Sequence, residues 1–325
     1  MRLLQRIQST IVILCISLLT QCSNQSLPAN LEKSKLNQNE FYSFDGDFFP
    51  YQVWIPRETP KLVIIGIHGI SGASSDFTPL ARHLSKTNPN WALYAAECRG
   101  QGKDPIKKRR GHIEKKEDWF NDLLSFTRLV RKKHPDAKIV WCGESMGSLI
   151  ALHTYAYAQN QADRCDALIL SSPIVGIRQD FPRWKENLAH TAAFLFPTAR
   201  ISLETLAGKK EVQVTKDSVH QQQALKNPYH IERHTLRLLS TLGKMIRGAS
   251  QASQKLDLPV LILHGGKDVF SAPADVQSFV KALPEAAQAT QKFFPDCFHL
   301  LFYDHKSDLV LAETTSWLKK LQNTD

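Results

Sequence analysis

Lys138-Ile139-Val140-Trp141-Cys142-Gly143-Glu144-Ser145-Met146-Gly147-Ser148-Leu149-Ile150-Ala151-Leu152-His153 is the stretch that decides the fold. Its apolar first part reads as a buried strand, and the residues from Ser148 onward open a helix. Between them, Gly143-Glu144-Ser145-Met146-Gly147 matches G-x-S-x-G, the sharp strand-to-helix turn that lifts a serine oxygen clear of a sheet edge. The turn leaves no room for side chains at its flanks, so glycine is wanted there. Ser145 is therefore a candidate nucleophile.

Working outward, the same pattern repeats. Leu62-Val63-Ile64-Ile65-Gly66-Ile67-His68, Ala92-Leu93-Tyr94-Ala95-Ala96, Ala167-Leu168-Ile169-Leu170 and Val260-Leu261-Ile262-Leu263 are continuous apolar runs, as strands covered on both faces require. Residues 48–55 read as an earlier strand. Residues 76–86 and 116–134 carry helical spacing, and in the second Trp119, Leu123, Phe126 and Val130 recur on one face. Strand alternating with helix predicts the α/β class, with a mostly parallel central sheet flanked by helices. Residues 173–256 interrupt the alternation, with Trp184, Leu188, Phe194, Leu195 and Phe196 apolar early and Leu236, Leu238, Leu239, Leu242, Met245 and Ile246 apolar late. So long an interruption between core strands reads as an inserted helical cap, the alternative being crossover helices joined by a long loop.

A serine hydroxyl is barely acidic. It attacks a carbonyl only when a histidine takes its proton, and that histidine needs a carboxylate to fix its tautomer. In chains with this elbow, acid and histidine follow the serine in that order. Asp268 lies just past an apolar strand in Leu263-His264-Gly265-Gly266-Lys267-Asp268, and His299 ends Phe293-Phe294-Pro295-Asp296-Cys297-Phe298-His299. His264, His305 and Asp296 are rivals; His264 reads as a packed strand-end residue, and Asp296 is close in sequence to His299 for a partner. The oxyanion needs two preorganised backbone donors, one after the nucleophile and one after an early strand. These would be the amides of Met146 and of Ile70 in His68-Gly69-Ile70-Ser71-Gly72, with His68 a structural support beneath the turn.

Together these segments resemble the monoacylglycerol lipase and lysophospholipase branch of the α/β hydrolases. The resemblance covers roughly residues 41–321 and includes Glu97-Cys98-Arg99-Gly100-Gln101-Gly102, similar to the family's D-x-R-G-x-G turn with Glu97 in place of Asp. Thr215-Lys216-Asp217 and Asn227-Pro228-Tyr229 look like its cap segments. Ser148 stands where a further glycine is usual, and Glu144 where many members have His. The resemblance implies the α/β-hydrolase fold and a serine esterase acting on a lipid-like substrate through an acyl-enzyme, with no cofactor and no metal. A peptidase, a small-ester esterase, an acyltransferase and a non-catalytic binding protein remain open as alternatives on the same scaffold.

The amino end differs in kind. Arg2 and Arg6 precede the apolar run Ile11-Val12-Ile13-Leu14-Cys15-Ile16-Ser17-Leu18-Leu19, which is shorter than the roughly 20 residues of a spanning helix. It reads as a signal peptide over residues 1–21, and Leu19-Thr20-Gln21-Cys22 resembles a lipobox in which Cys22 would be lipidated. Residues 22–40 are a polar tether, and residues 41–325 the hydrolase domain. The expectation is a lipoprotein anchored on the periplasmic side of a bacterial membrane or at the cell surface, and otherwise a periplasmic or secreted protein. Basic residues dominate 103–116 and 128–133 within a formal charge of +10, but no aromatic interleaving or nucleic-acid motif accompanies them. Nucleic acid is not an expected partner, and a monomer is. Cys98, Cys142, Cys165 and Cys297 lack metal-site spacing and read as free thiols.

Overall fold

The computed structural model describes residues 33–88, 90–158, 161–176, 191–202, 213–216 and 229–324. The expected leader, Cys22, most of the tether, and Trp184, Leu188, Asp217, Asn227 and Pro228 lie outside the described residues. Leu31–Asp325 is one compact unit.

The first strands are β1 (Lys35–Leu36), β2 (Glu40–Tyr42), β3 (Phe48–Trp54), β4 (Leu62–Ile67) and β5 (Trp91–Ala96). They are followed by β6 (Lys138–Glu144) and β7 (Ala167–Ser171), then β8 (Arg200–Ser202), β9 (Arg233–Thr235), β10 (Val260–Gly265) and β11 (Ala289–Phe294). Nine of them form one sheet in the order β1-β2-β3-β5-β4-β6-β7-β10-β11, while β8 and β9 pair separately. From β5 to β11 every neighbour is parallel; β1, β2 and β3 add an antiparallel edge. The strand that leads into Ser145, β6, is flanked by β4 and β7 near the sheet's middle.

Side chains alternate between two cores, because successive strand residues point to opposite faces. Along β4, Val63, Ile65 and Ile67 enter one core and Leu62 and Ile64 the other. β6 divides in the same way, Ile139 and Trp141 against Val140 and Cys142. Helices α1 (Thr78–Thr87), α2 (Lys116–Lys133) and α3 (Met146–Tyr157) follow β4, β5 and β6; α4 (Leu236–Ser253), α5 (Pro273–Lys281) and α6 (Ser307–Asn323) come later. Residues of α2, α3, α4 and α5 close the first core, and those of α1 and α6 the second. α3 buries residues around its whole circumference, as a helix wedged between sheet and other helices must. The buried polar ends are satisfied: Trp141 Nε1 donates to Thr127 Oγ1 at 2.8 Å and Trp119 Nε1 to the Arg99 carbonyl at 2.9 Å.

The end of the expected cap needs correction. Leu238, Met245, Ala249 and Ala252 of α4 belong to the same core as Leu149 and Leu152 of α3, and His153 Nε2 donates to the Met245 carbonyl at 2.7 Å. The chain has therefore rejoined the main body by Leu236, well before residue 256. The apolar stripe of this helix serves the central core, with alanines that let it lie close against α3. At the other end of the segment, Phe194, Leu195 and Phe196 are 83%, 60% and 63% exposed. They face solvent.

Trp141→Ala should lower unfolding stability by about 3–5 kcal/mol in urea titration, because the indole is fully buried at the sheet's centre. A loss under about 1 kcal/mol would show that the core collapses around the cavity.

Candidate functional site

Ser145 joins β6 to α3 with φ 55° and ψ −114°, a conformation uncommon for a residue with a Cβ. The flanking glycines are required by contact. A Cβ at Gly143 would lie 2.4 Å from the Gly147 carbonyl oxygen, and one at Gly147 only 1.8 Å from that of Ile67. The Ser145 amide donates to the Ser171 carbonyl at 2.9 Å, which ties the turn to β7. Ser148, standing where the family pattern has glycine, closes the turn: its hydroxyl reaches the carbonyls of Gly143 at 2.8 Å and Ser171 at 3.0 Å.

Asp268 and His299 arrive on the loops after β10 and β11 and meet. His299 Nδ1 donates to Asp268 Oδ2 at 2.8 Å, leaving Nε2 as the ring's free acceptor. Asp268 Oδ1 accepts from the amides of Phe270 at 2.8 Å and Ser271 at 3.3 Å, so the carboxylate cannot swing. Burial pushes the Asp268 carboxyl up, but the His299 charge and these hydrogen bonds outweigh it and hold the group below its usual range. Phe270 stands edge-on to the imidazole, with ring centroids 4.7 Å apart. The His299 carbonyl accepts from Ser172 Oγ at 2.6 Å. Ser145 and His299 are thus fastened to consecutive residues, Ser171 and Ser172, at the end of one strand.

The rivals separate cleanly. His264 is buried with Nδ1 3.8 Å from Asp268 Oδ2, and desolvation lowers its pKa, so it stays neutral. Asp296 has a half-exposed carboxylate paired with Lys306, and His305 bonds Asp304 at 3.0 Å.

The turn after β4 lies against Ser145: a Cβ on Gly69 would sit 3.4 Å from Ser145 Cβ and 3.9 Å from its Oγ. Among the described residues the amides of Ile70 and Met146 have no acceptor. A set of side chains braces this turn. The Cys98 amide donates to His68 Nε2 at 2.9 Å, which places the ring proton on Nδ1, and Nδ1 donates to the Gly69 carbonyl at 2.9 Å. Ser71 N bonds Gln101 Oε1 at 2.8 Å, and Ala73 N bonds Asp76 Oδ2 at 2.9 Å. Glu97 Oε1 accepts from Ser74 Oγ at 2.7 Å and from its amide at 3.3 Å, while Oε2 accepts from Lys103 N at 3.1 Å.

Sequence reasoning placed His68 correctly under the turn but missed Ser171, Ser172, Gln101 and Asp76. The pair Ser171-Ser172, closing an apolar strand ahead of Pro173, was the available signal. Ser172 itself has φ 46°. No cluster of His, Cys, Asp and Glu among the described residues could hold a metal ion.

A strand-turn-helix serine and an Asp-His pair, presented at the carboxyl end of a mostly parallel sheet, define an α/β hydrolase. Residues 58–306 match the family described as Serine aminopeptidase, S33 (Hydrolase_4), and the chain belongs to that family. It is 23% identical over 286 residues to a protein named monoacylglycerol lipase from Mycolicibacterium smegmatis, covering 88% of this chain and 98% of that one. Two solved structures share the fold. A soluble variant of Saccharomyces cerevisiae monoglyceride lipase, bound to a substrate analog, superposes with a TM-score of 0.73 at 20% identity over 92% of this chain and 99% of that one. A Bacillus coagulans carboxyl esterase in complex with glycerol gives 0.70 at 18% identity, over 87% and 97%.

Glu144, the residue before Ser145, is buried, and its Oε1 has no partner among the described residues. Burial, reinforced by Asp76, pushes its carboxyl up to about 8. The folded state then holds a proton that the unfolded chain releases near 4.5, so this contribution to stability is full below that pH and is lost as pH rises through about 8. Glu144→Gln removes the titration. The Tm advantage of the variant over the parent should therefore widen between pH 5 and pH 9 in thermal melts, and a constant difference would refute the buried neutral carboxyl.

Proposed function

We propose that the protein is a serine hydrolase that cleaves carboxylic esters of long acyl chains, with monoacylglycerol and lysophospholipid the leading substrates, through an acyl-enzyme. The observation that carries this reading is the 2.8 Å Asp268–His299 bond, with the His299 loop and the positive-φ serine turn bonded to the adjacent residues Ser172 and Ser171. Ser145 Oγ attacks the ester carbonyl as His299 Nε2 takes its proton. Asp268 keeps the ring in the Nδ1–H tautomer and stabilises the imidazolium. The amides of Ile70 and Met146 hold the tetrahedral oxyanion. His299 then passes its proton to the departing alcohol, and a water molecule activated by the same ring releases the acid. The ester rather than peptide bond is supported by relatives in the family that carry lipase names. No step calls for a metal or cofactor.

The leader supports export, and Cys22 supports a lipid tether to a membrane; Cys22→Ser should release the protein from the membrane fraction. A mature amino terminus other than Cys22, or one without acyl mass, would overturn the tether.

Asp268→Asn should lower kcat by a factor on the order of 10³ to 10⁴ with KM little changed, since it disturbs the tautomer and not the binding surface. An equal loss in Asp296→Asn would contradict the assignment. With the parent, kcat/KM should rise with acyl length, as each buried methylene contributes about 0.8 kcal/mol. A peak at acetyl would favour a small-ester esterase instead.

A further inference from the structure

We propose that Lys103, Arg110 and the ring of Tyr229 form an anion-binding subsite at the edge of the oxyanion turn. It takes a phosphate or carboxylate carried on the alcohol side of the ester. The proposal rests on the ester-hydrolase reading and narrows its substrate to esters with a charged alcohol portion.

Residues 103–116 hold seven Lys and Arg against two acids, Asp104 and Glu114, and both acids are committed. Asp104 is buried, accepting from the Gly100 amide at 2.5 Å and from Arg109 Nε at 2.8 Å. Glu114 is taken by His112 at 2.9 Å and by Arg237. Arg109 is neutralised by Asp104 and Asp47. Lys103 and Arg110 have no carboxylate partner among the described residues. Instead both lie against the same aromatic ring: Lys103 Nζ is 5.4 Å and Arg110 Cζ 5.1 Å from the centroid of Tyr229. The ring attracts each cation but compensates neither, and the two repel one another. An anion held by both would offset that repulsion, and a phosphate can be gripped by the planar Arg fork with Lys as the second charge.

Both sides of this cluster are pinned to the oxyanion turn. Lys103 is held by the hydrogen bond its backbone amide donates to Glu97 Oε2, and the preceding Gly102 packs so closely that a Cβ would lie 3.1 Å from the Gly72 carbonyl oxygen. Tyr229 lies two residues before Ile231, whose carbonyl accepts from Ser71 Oγ at 2.8 Å. Arg110 Nε donates to the Asp104 carbonyl at 2.9 Å, and its own carbonyl accepts from Arg200 Nη1 at 2.6 Å. The backbone carrying each cation is therefore fixed before a ligand arrives, which lowers the ordering cost of binding. Exposed Lys107, Lys108 and Arg200 strengthen the positive field around the cluster.

The test compares two esters with the same acyl chain, a monoacylglycerol and its glycerol 3-phosphate counterpart, below their aggregation concentrations. In Lys103→Gln/Arg110→Gln, the ratio of kcat/KM for the phosphate ester to that for the neutral ester should fall tenfold or more, and added salt should lower the parent's ratio too. Tyr229→Leu, which keeps both charges, should lower it less. An unchanged ratio overturns the subsite, and so does an unchanged ratio accompanied by weaker binding to anionic vesicles, which would assign the charges to a membrane surface. Calorimetry on Ser145→Ala separates a headgroup from free phosphate. Glycerol 3-phosphate binding that disappears in the triple variant supports the proposal, while binding of inorganic phosphate alone overturns it. That titration needs no turnover, so a protein that hydrolysed neither ester would refute the ester-hydrolase reading and leave the subsite independently tested.

Discussion

The site depends on how closely the elbow helix can approach the strand beside it. At Gly147 the gap to the Ile67 carbonyl leaves no space for even a methyl group, and at Gly143 the chain folds back onto Gly147 itself. That closeness forces the reversal in which Ser145 takes up its left-handed backbone angle. The strain is sustained because the turn is bonded twice to one carbonyl of β7, that of Ser171, through the Ser145 amide and the Ser148 hydroxyl. A serine so placed has its position set by the backbone of the turn.

The same strand end organises the rest. Ser171 and Ser172 hold the Ser145 turn on one side and the His299 loop on the other, so the two share a support rather than depending on two independent loops. Around the turn after β4 a second support is polar, built from buried His68, Glu97 and Gln101 with half-buried Asp76. Hydrogen bonds to charged acceptors in a desolvated setting are stronger than neutral ones and costly to leave half made. The longer Glu97, in place of the family's Asp, spans the Ser74 and Lys103 amides and so ties the oxyanion turn to the loop after β5.

Much of this was legible in the sequence, and the reason is local. Buried strands write themselves as continuous apolar runs, so β4, β5, β6, β7 and β10 could be read directly. The turn at Ser145 and the meeting of Asp268 with His299 followed from the elbow and the order of the loops after it. Ser171, Ser172 and Gln101 were illegible because each acts on backbone groups far away in the chain, and an isolated serine or glutamine carries no periodicity. Residues 236–253 misled for a different reason. An apolar stripe looks the same whether it lines a cap or packs on α3, and only the contact to His153 and Leu149 decides between them.

If the proposed chemistry holds, Ser145 is the one hydroxyl the scaffold activates. The direct measurement is mass spectrometry of the folded protein after reaction with a long-chain alkyl fluorophosphonate, followed by peptide mapping of the adduct. A single adduct is expected on the peptide bearing Ser145, formed in the parent and absent from a correctly folded Ser145→Ala protein. Labelling that persists in Ser145→Ala, or an adduct that maps to another residue of the folded parent, would contradict it.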